Sequence, residues 1–307
     1  MIEHPVCPHT QSDVVCKLFT ARLYQCHDCG ILFSDHYRDG FDPATVYKEY
    51  YKNEVGGRFG FGVEYIVRLF RFFRAFKIFT VAPSAKKILD IGSGRGFTLF
   101  YLKKYYKYAR TTGTQISKNA FYFSRDKLGL EIYDKDLLEL NFEPKSFDVI
   151  SMWHVLEHVH HPENYIKKIY ELLDEGGKLM IEVPNFSSWS RPLTNPYWLS
   201  YDIDHHLFFF TPQTLGALLT KYGFKIKRVH TFSLEYSTFT SAQSIVSAFT
   251  KTDSVFFKKL QSGEFDNQTI LHGVFIILLM PVCFLINILF YFSRRGEVLF
   301  IIAEKKT

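Results

Sequence analysis

Residues 86–97, Lys-Lys-Ile-Leu-Asp-Ile-Gly-Ser-Gly-Arg-Gly-Phe, constrain this chain more than any other stretch. An apolar pair, Ile88-Leu89, leads to an acid at Asp90 and then to glycines at alternate positions, Gly92, Gly94 and Gly96. That order describes a strand whose C-terminal end turns sharply into a helix, with glycines where a side chain would hold a ligand off the backbone. A nucleotide-like ligand is the natural occupant. A ligand-free Gly-rich turn is the alternative that this stretch alone leaves open.

Short apolar runs and helical stretches alternate downstream. Strands are predicted at Ile88–Ile91, Thr111–Gln115, Glu131–Tyr133, Phe147–Met152 and Lys178–Val183, with helices at Phe97–Tyr108, Lys118–Leu128 and Pro162–Leu173. Strands regularly separated by helices imply right-handed crossovers and a parallel sheet covered on both faces. Ligands then collect at the C-terminal ends of the strands. A dinucleotide fold would place its third glycine later, as G-x-G-x-x-G, with an acid about 20 residues further on. Here the spacing is G-x-G-x-G.

L-D-I-G-S-G-R-G (89–96), F-D-V-I-S-M-W-H-V-L-E-H-V (147–159) and D-E-G-G-K-L-M-I-E-V-P-N (174–185) occur in that order. Together they resemble the class I S-adenosylmethionine-dependent methyltransferases, in the broad group of the ubiquinone-pathway O-methyltransferases, over residues 86 to about 230. The resemblance implies a doubly wound, mostly parallel, seven-stranded α/β sheet. It also implies that Asp90, Gly92 and Gly94 line the methionine and ribose part of the cofactor, with Asp90 facing its ammonium. The second strand of the family ends in an acid for the ribose diol; Gln115 stands there, as in cyclopropane-fatty-acid-synthase-like relatives, and an amide bonds a diol without the charge. Asp136 matches the adenine-contacting acid, a surface-turn acid being the alternative.

His154-Val155-Leu156-Glu157-His158 matches the family's E-x-x-E-H, with His154 in place of the first Glu. In the quinone-pathway relatives that segment contributes a metal site, so a divalent metal near Glu157 and His158 is one expectation. His158 as general base is a second, and plain capping of the loop before Pro162 a third. Residues 201–212 resemble the family's acceptor-side H-L-x-x-F-T/S-P segment, which makes His206 the second candidate base. A helix at Gln213–Tyr222, a strand at Phe224–Phe232 and a last, antiparallel strand at Glu297–Lys305 complete the predicted core.

The two ends of the chain carry different chemistry. Four of the five cysteines precede residue 30, which marks a local cluster rather than a disulfide framework and points to a reducing compartment. Cys26-His27-Asp28-Cys29-Gly30 is a knuckle that brings two thiolates to one tetrahedral zinc. Cys7 starts a second knuckle that lacks its partner, because Thr10 occupies that place. The candidate metal ligands are Cys7, Cys26 and Cys29, with His4, His9 or Cys16 as the fourth. A degenerate ribbon without metal is the alternative. Tyr47–Tyr51 and the Gly-rich 56–62 segment read as a linker helix or as a pocket wall.

A net charge of +6 with 32 Phe and 19 Tyr suits either nucleic acid or an anionic membrane surface. Ile66–Phe79 alternates Arg68, Arg71, Arg74 and Lys77 with Phe and Leu, which fits a membrane interface or a helix covering the sheet. Val274–Phe292 has no charge, is interrupted by Pro281 and Asn287, and precedes Arg294-Arg295. By length it could span a bilayer. If the last strand rejoins the sheet, both ends of that stretch lie on one side, so a Pro-broken re-entrant or interfacial hairpin is expected; a buried helix or a dimer interface is the soluble alternative. No recognised nucleic-acid motif is present, and the polar N-terminus has no signal-peptide pattern.

The expected organisation is therefore a cysteine-rich, zinc-ribbon-like module (1–36), an aromatic and basic helical linker (37–83), a methyltransferase core (84–235), a helical insertion with a membrane-interacting stretch (236–296) and a last sheet strand (297–307). The expected function is methyl transfer from S-adenosylmethionine to a small-molecule or lipid-linked acceptor, at oxygen, by a cytoplasmic protein held peripherally or monotopically on a membrane. Sugar C-methylation and an inactive cofactor-binding scaffold are the alternatives.

Overall fold

The computed structural model describes residues 7, 9–38, 61–252, 256, 257, 259 and 266–306. Tyr47–Tyr51 and His4, singled out above, lie outside the described residues.

The larger sheet has seven strands in the order β10-β11-β8-β7-β4-β5-β6. Strands β4 (Lys87–Ile91), β5 (Arg110–Thr114), β6 (Glu131–Tyr133), β7 (Phe147–Trp153) and β8 (Leu173–Pro184) run parallel. Strand β11 (Val298–Lys305) lies antiparallel between β8 and β10 (Phe224–His230). The chain steps outward from β4 to β6 on one side and from β7 to β8 on the other. The strand order thus switches between β4 and β7, where a doubly wound sheet opens a cleft at its strand ends.

Period-2 alternation fills both faces. Val149, Met180, Phe300 and Ile302 point to one side and pack under Ala75, Ile78, Leu99 and Leu102. Ile150, Leu179, Ile181, Leu299 and Ile301 point to the other, under Ile166, Ile169, Leu215 and Leu219. Two helices cover the first face, α2 (Phe61–Val81) and α3 (Phe97–Tyr105); two cover the second, α5 (Pro162–Leu172) and α7 (Pro212–Lys221). The predicted 118–128 helix divides into α4 (Lys118–Tyr122) and a π-helical turn, Phe123–Lys127.

Helix α2 turns its charges inward. Arg74 is buried and Arg71 and Lys77 are half-buried, whereas Leu69, Phe72, Phe73 and Phe76 are exposed. The arrangement covers the sheet with the basic side and leaves the aromatic side outside. Its cause is the acidic pair Glu182 and Glu235 beneath: Arg74 Nη2 lies 2.8 Å from Glu235 Oε2, and Arg74 and Lys77 each stand 3.9 Å from Glu182.

The N-terminal strands β1 (Ser12–Lys17), β2 (Arg22–Cys26) and β3 (Leu32–Ser34) form an antiparallel sheet completed by β9 (Phe208–Phe209), with Phe33 opposite Phe208. A short helix, α1 (Asp35–Arg38), follows β3, and α6 (Ser190–Thr194) follows β8.

At the other end, α8 (Ser237–Thr250) and α9 (Asn267–Tyr291) pack antiparallel, and Asn287 Nδ2 near the end of α9 donates to Ser241 Oγ near the start of α8 (2.9 Å). Small side chains let two helices approach closely, and α8 is built of them, its Ser241 and Ser244 hydroxyls turned back onto its own carbonyls. These two helices make a hairpin, but not the one expected within residues 274–292. The expected break at Pro281 does not occur: α9 is one helix through that residue. Pro281 sits on the exposed side, while Ile276 and Cys283 on either side of it are buried against α8, so the helix continues at the loss of one backbone hydrogen bond. Its other face, including Leu278, Leu285 and Leu289, is exposed. The helix is long and apolar enough to cross a membrane, and 22% of its most apolar window is buried.

Candidate active site

A cavity of about 1080 Å³ opens at the C-terminal ends of β4, β5 and β7. Asp90, Gly92, Gly94, Gln115, Asp136, His158 and His206 all line it.

Asp90 sits near the end of β4, 1% exposed, and accepts a hydrogen bond from Ser151 Oγ (2.5 Å) on β7. Burial pushes its carboxyl up to about 6 even though Ser151 and the more distant Arg74 pull the other way. A carboxylate desolvated to that extent is a partner waiting for a cation. The turn after it is braced by β5: Gly92 N–H donates to Thr114 Oγ1 (3.2 Å) and Ser93 N–H to Thr114 O (2.9 Å). Gly92 has φ +66°, and a Cβ there would stand 2.5 Å from Val155 Cγ2. Only glycine leaves the backbone open at this point.

Gln115 follows β5 and is buried; its Oε1 accepts from Ser117 N–H (2.8 Å). The amide oxygen is thereby committed, and the NH2 is the end that can donate to a hydroxyl. Asp136 caps the turn Leu137–Glu139 through Leu138 N–H (2.8 Å) and accepts from the Tyr165 hydroxyl. It is both the turn acid and a cavity-lining one. This donor set, a buried carboxylate for a cation and an amide donor for a diol beside a glycine-open turn, fits the nucleoside cofactor implied by the sequence.

Elsewhere in the lining His158 and His206 lie against each other, ring centroids 4.7 Å apart and planes tilted by 57°. Each Nδ1 faces a carbonyl, His158 that of His205 (2.8 Å) and His206 that of Ser200 (3.0 Å). A carbonyl only accepts, so Nδ1 carries the proton and the neutral ring's lone pair is on Nε2. Burial lowers the His158 pKa to about 4, which keeps it neutral. One donor atom each from Glu157, His158 and His206 lie within 4.8 Å of one another, so the three could also hold a divalent ion.

His154 has another role than the one its motif position suggests. Its Nδ1 is 3.2 Å from Glu157 Oε1 and its Nε2 3.3 Å from Glu182 Oε1. Burial alone would neutralise it, yet the bonds to these two carboxylates raise its pKa to about 10, and Glu182 is held down at about 2. It stands as a cation between two buried acids, hydrogen-bonded to Glu157 and in ion-pair contact with Glu182. Sequence reasoning did not single out Glu182, Glu235 or Tyr236, whose ring stands 4.2 Å from His154; nothing local marks these residues, because α2, β8 and the start of α8 meet only in the fold.

Near the N-terminus, Cys7, His9, Cys26 and Cys29 converge with one donor atom each inside 4.8 Å. Cys7 Sγ is 3.5 Å from Cys26 Sγ, and Cys29 Sγ 3.5 Å from His9 Nδ1. Zn–S and Zn–N bonds of ordinary length in a tetrahedron put such atoms roughly 3.6–3.8 Å apart. Of the three fourth ligands left open above, the fold brings His9 to the cluster. Cys16 instead lies 3.7 Å from the Tyr201 hydroxyl.

Residues 65–229, more than half the chain, match a family model described as a methyltransferase domain. A ubiquinone biosynthesis O-methyltransferase of Coxiella burnetii is 30% identical over 110 residues, covering 34% of this chain and 46% of that protein. The chain thus spans about half the length of the curated relatives it matches. Among solved structures, a SAM dependent methyltransferase from Archaeoglobus fulgidus aligns over 76% of this chain and 94% of its own at 22% identity and a TM-score of 0.49. A Haemonchus contortus phospholethanolamine N-methyltransferase aligns over 72% of this chain and 49% of its own at 16% identity and a TM-score of 0.49.

Proposed function

The chain belongs to the methyltransferase-domain family, and on that premise we propose that it transfers the methyl group of S-adenosylmethionine to a hydroxyl of an amphiphilic, lipid-like or lipid-linked acceptor at a membrane surface. The observation that carries the reading is one cavity with two chemically opposite walls. Asp90 and the glycine turn offer a buried carboxylate on one side, and a neutral, tautomer-fixed His158 beside His206 stands on the other.

When bound, the cofactor supplies an activated methyl group, and methyl transfer then needs alignment and deprotonation rather than a covalent enzyme intermediate. Asp90 would hold the cofactor's ammonium and Gln115 NH2 a ribose hydroxyl, while Asp136 would face the base. His158 Nε2 would accept the proton of the acceptor hydroxyl, with the His205 carbonyl keeping the ring in the required tautomer. His206 would orient the same hydroxyl. Ligation of a divalent ion by Glu157, His158 and His206 is the second reading, favoured by their convergence and by the hydroxyl acidity that such an ion would supply.

The acceptor class rests on the remaining wall. Ile66 and Phe70 of α2, with Phe239, Phe257 and Met280 of the hairpin segment, line the same cavity, and the outer faces of α2 and α9 are apolar. Arg294 and Arg295, exposed just past α9, suit anionic headgroups. The reading includes peripheral or monotopic attachment at the cytoplasmic face and a structural zinc on Cys7, His9, Cys26 and Cys29.

Calorimetric titration with S-adenosylmethionine should give saturable binding, and methyl-labelled cofactor should label a lipid extract. Absence of binding sinks the reading. Binding without incorporation into any lipid or soluble extract would favour a catalytically silent scaffold.

A further inference from the structure

Residues 203–210, which carry the acceptor-side His206, have little support of their own. Strand β9 is two residues long, and its neighbour Phe210 makes a single isolated bridge to Asn185. A strand that short has no independent stability. The main core buries Leu207, Phe208 and Phe210 and Phe186 N–H donates to Phe210 O (2.9 Å), but the strand partner is the N-terminal module: β3 pairs with β9, Ser34 N–H donates to Leu207 O (2.9 Å), Ser34 Oγ–H to His206 O (3.3 Å), and His36 Nδ1 lies 3.0 Å from Ile203 O. Leu207 N–H in turn donates to Glu157 O (2.8 Å), which ties the segment to the His158 turn.

The module cannot hold itself either. Strands β1 to β3 lie within residues 12–34, a unit below the size at which a chain buries enough apolar surface to stay folded unaided. The convergence of three thiols and one imidazole supplies the missing staple. The His9 ring also touches Phe33 of β3 (centroids 5.4 Å apart) and Phe208 of β9 (5.7 Å), so one ligand of the cluster abuts both strands whose pairing is at issue. Cys26 ends β2, the other neighbour of β3.

We propose that the metal-held module is the scaffold of the acceptor side of the site: zinc on Cys7, His9, Cys26 and Cys29 fixes β3, and β3 positions residues 203–210 and therefore His206. The proposal rests on the zinc of the proposed function but not on the identity of the acceptor. The cofactor side, Asp90 and Gln115, stands on β4 and β5 of the other sheet. Zinc should therefore control one half of the cavity and spare the other. Ser34, Phe33 and His36 act as positioning residues.

The test uses the full chain loaded with zinc, then stripped with a chelator, followed by hydrogen exchange of peptides covering 203–210 and 88–96 and by titration with S-adenosylmethionine. Stripping should speed exchange of 203–210 by about tenfold or more while 88–96 stays protected, cofactor affinity should stay within about threefold, and zinc should restore the slow exchange. Ser34→Ala, which keeps every ligand, should retain zinc and speed exchange of the same segment by about threefold, the loss of one net hydrogen bond. Unchanged exchange of 203–210 in the stripped protein overturns the proposal and leaves the zinc reading standing. Equal acceleration of both peptides overturns it too, because the metal would then hold the whole fold. A protein that takes up no zinc removes both readings, and saturable cofactor binding in it would still uphold the methyltransferase reading.

Discussion

Replacing Asp90 by Asn should make the cofactor-free protein more stable and the cofactor bind less well. Burial raises the carboxyl from 3.8 to about 6, a difference that corresponds to roughly 3 kcal/mol between the two protonation states. The sign follows from proton counting. Between these two pKa values the native state holds the proton that the unfolded chain has released, so stability falls as pH rises through that window, and the full penalty applies above it. Asn keeps the shape and an acceptor for Ser151 but carries no charge, so near neutral pH the variant should recover up to about 3 kcal/mol. Cofactor binding should move the other way, because a charge-assisted contact to the ammonium contributes about 1.5–3 kcal/mol, a loss of about ten- to a hundredfold in affinity. Protons compete with the ammonium in the wild type, so its dissociation constant should rise about tenfold per unit below about pH 6, and the variant should be flat. Thermal melts and calorimetric titrations from about pH 5 to about pH 8 read both effects. A variant that is less stable without cofactor, or that binds with wild-type affinity and pH dependence, refutes the assignment of Asp90 as the cation's partner.

His158→Ala should lower kcat by about a hundredfold or more at saturating cofactor, and because burial keeps His158 neutral down to about 4, the wild-type kcat should show no loss from His158 protonation at mildly acidic pH. A rate that falls with an apparent pKa near that of free imidazole would assign the base elsewhere. His154→Ala leaves Glu157 and Glu182 buried without their shared cation and should cost about 3–5 kcal/mol in urea unfolding; a neutral result would remove the imidazolium bridge. Gly96→Ala would place a Cβ 2.5 Å from Leu130 Cδ1 at φ +74°, and it should destabilise the protein by about 2–4 kcal/mol and weaken cofactor binding with it. Leu278→Glu combined with Leu285→Glu, both on the exposed side of α9, should abolish sedimentation with anionic vesicles while leaving cofactor affinity unchanged; unaltered sedimentation would remove the membrane reading.

The core was legible because its signals are local. A strand, an acid and alternate glycines at 88–96 define one turn, and the alternation of apolar runs with helices defines the sheet around it. The cavity lining around the glycine turn was legible for the same reason, since Asp90, Gln115 and Asp136 each end or follow a strand. The histidine part of the lining was only half legible. His158 and His206 were found by motif, but their tautomers depend on two carbonyls, of His205 and Ser200, that no pattern encodes. His154 stands where the resembled motif has a Glu, and its partner Glu182 lies on a strand that no local pattern links to it. Helix α2 offered two faces of comparable claim; the buried acids Glu182 and Glu235 decided that the basic one faces inward.

The sequence by itself determined the fold family, the glycine turn and the presence of an apolar helix and a thiol cluster, because each is written in neighbouring residues whose spacing acts through bond geometry. Only the tertiary structure decided what those parts do to one another. It brought His9 to the three cysteines, laid β9 against β3, carried α9 unbroken through Pro281 and set His154 between two acids. These outcomes turn on which surfaces meet when distant segments are buried together, and the energies of buried charge and strand pairing exist only after they have met.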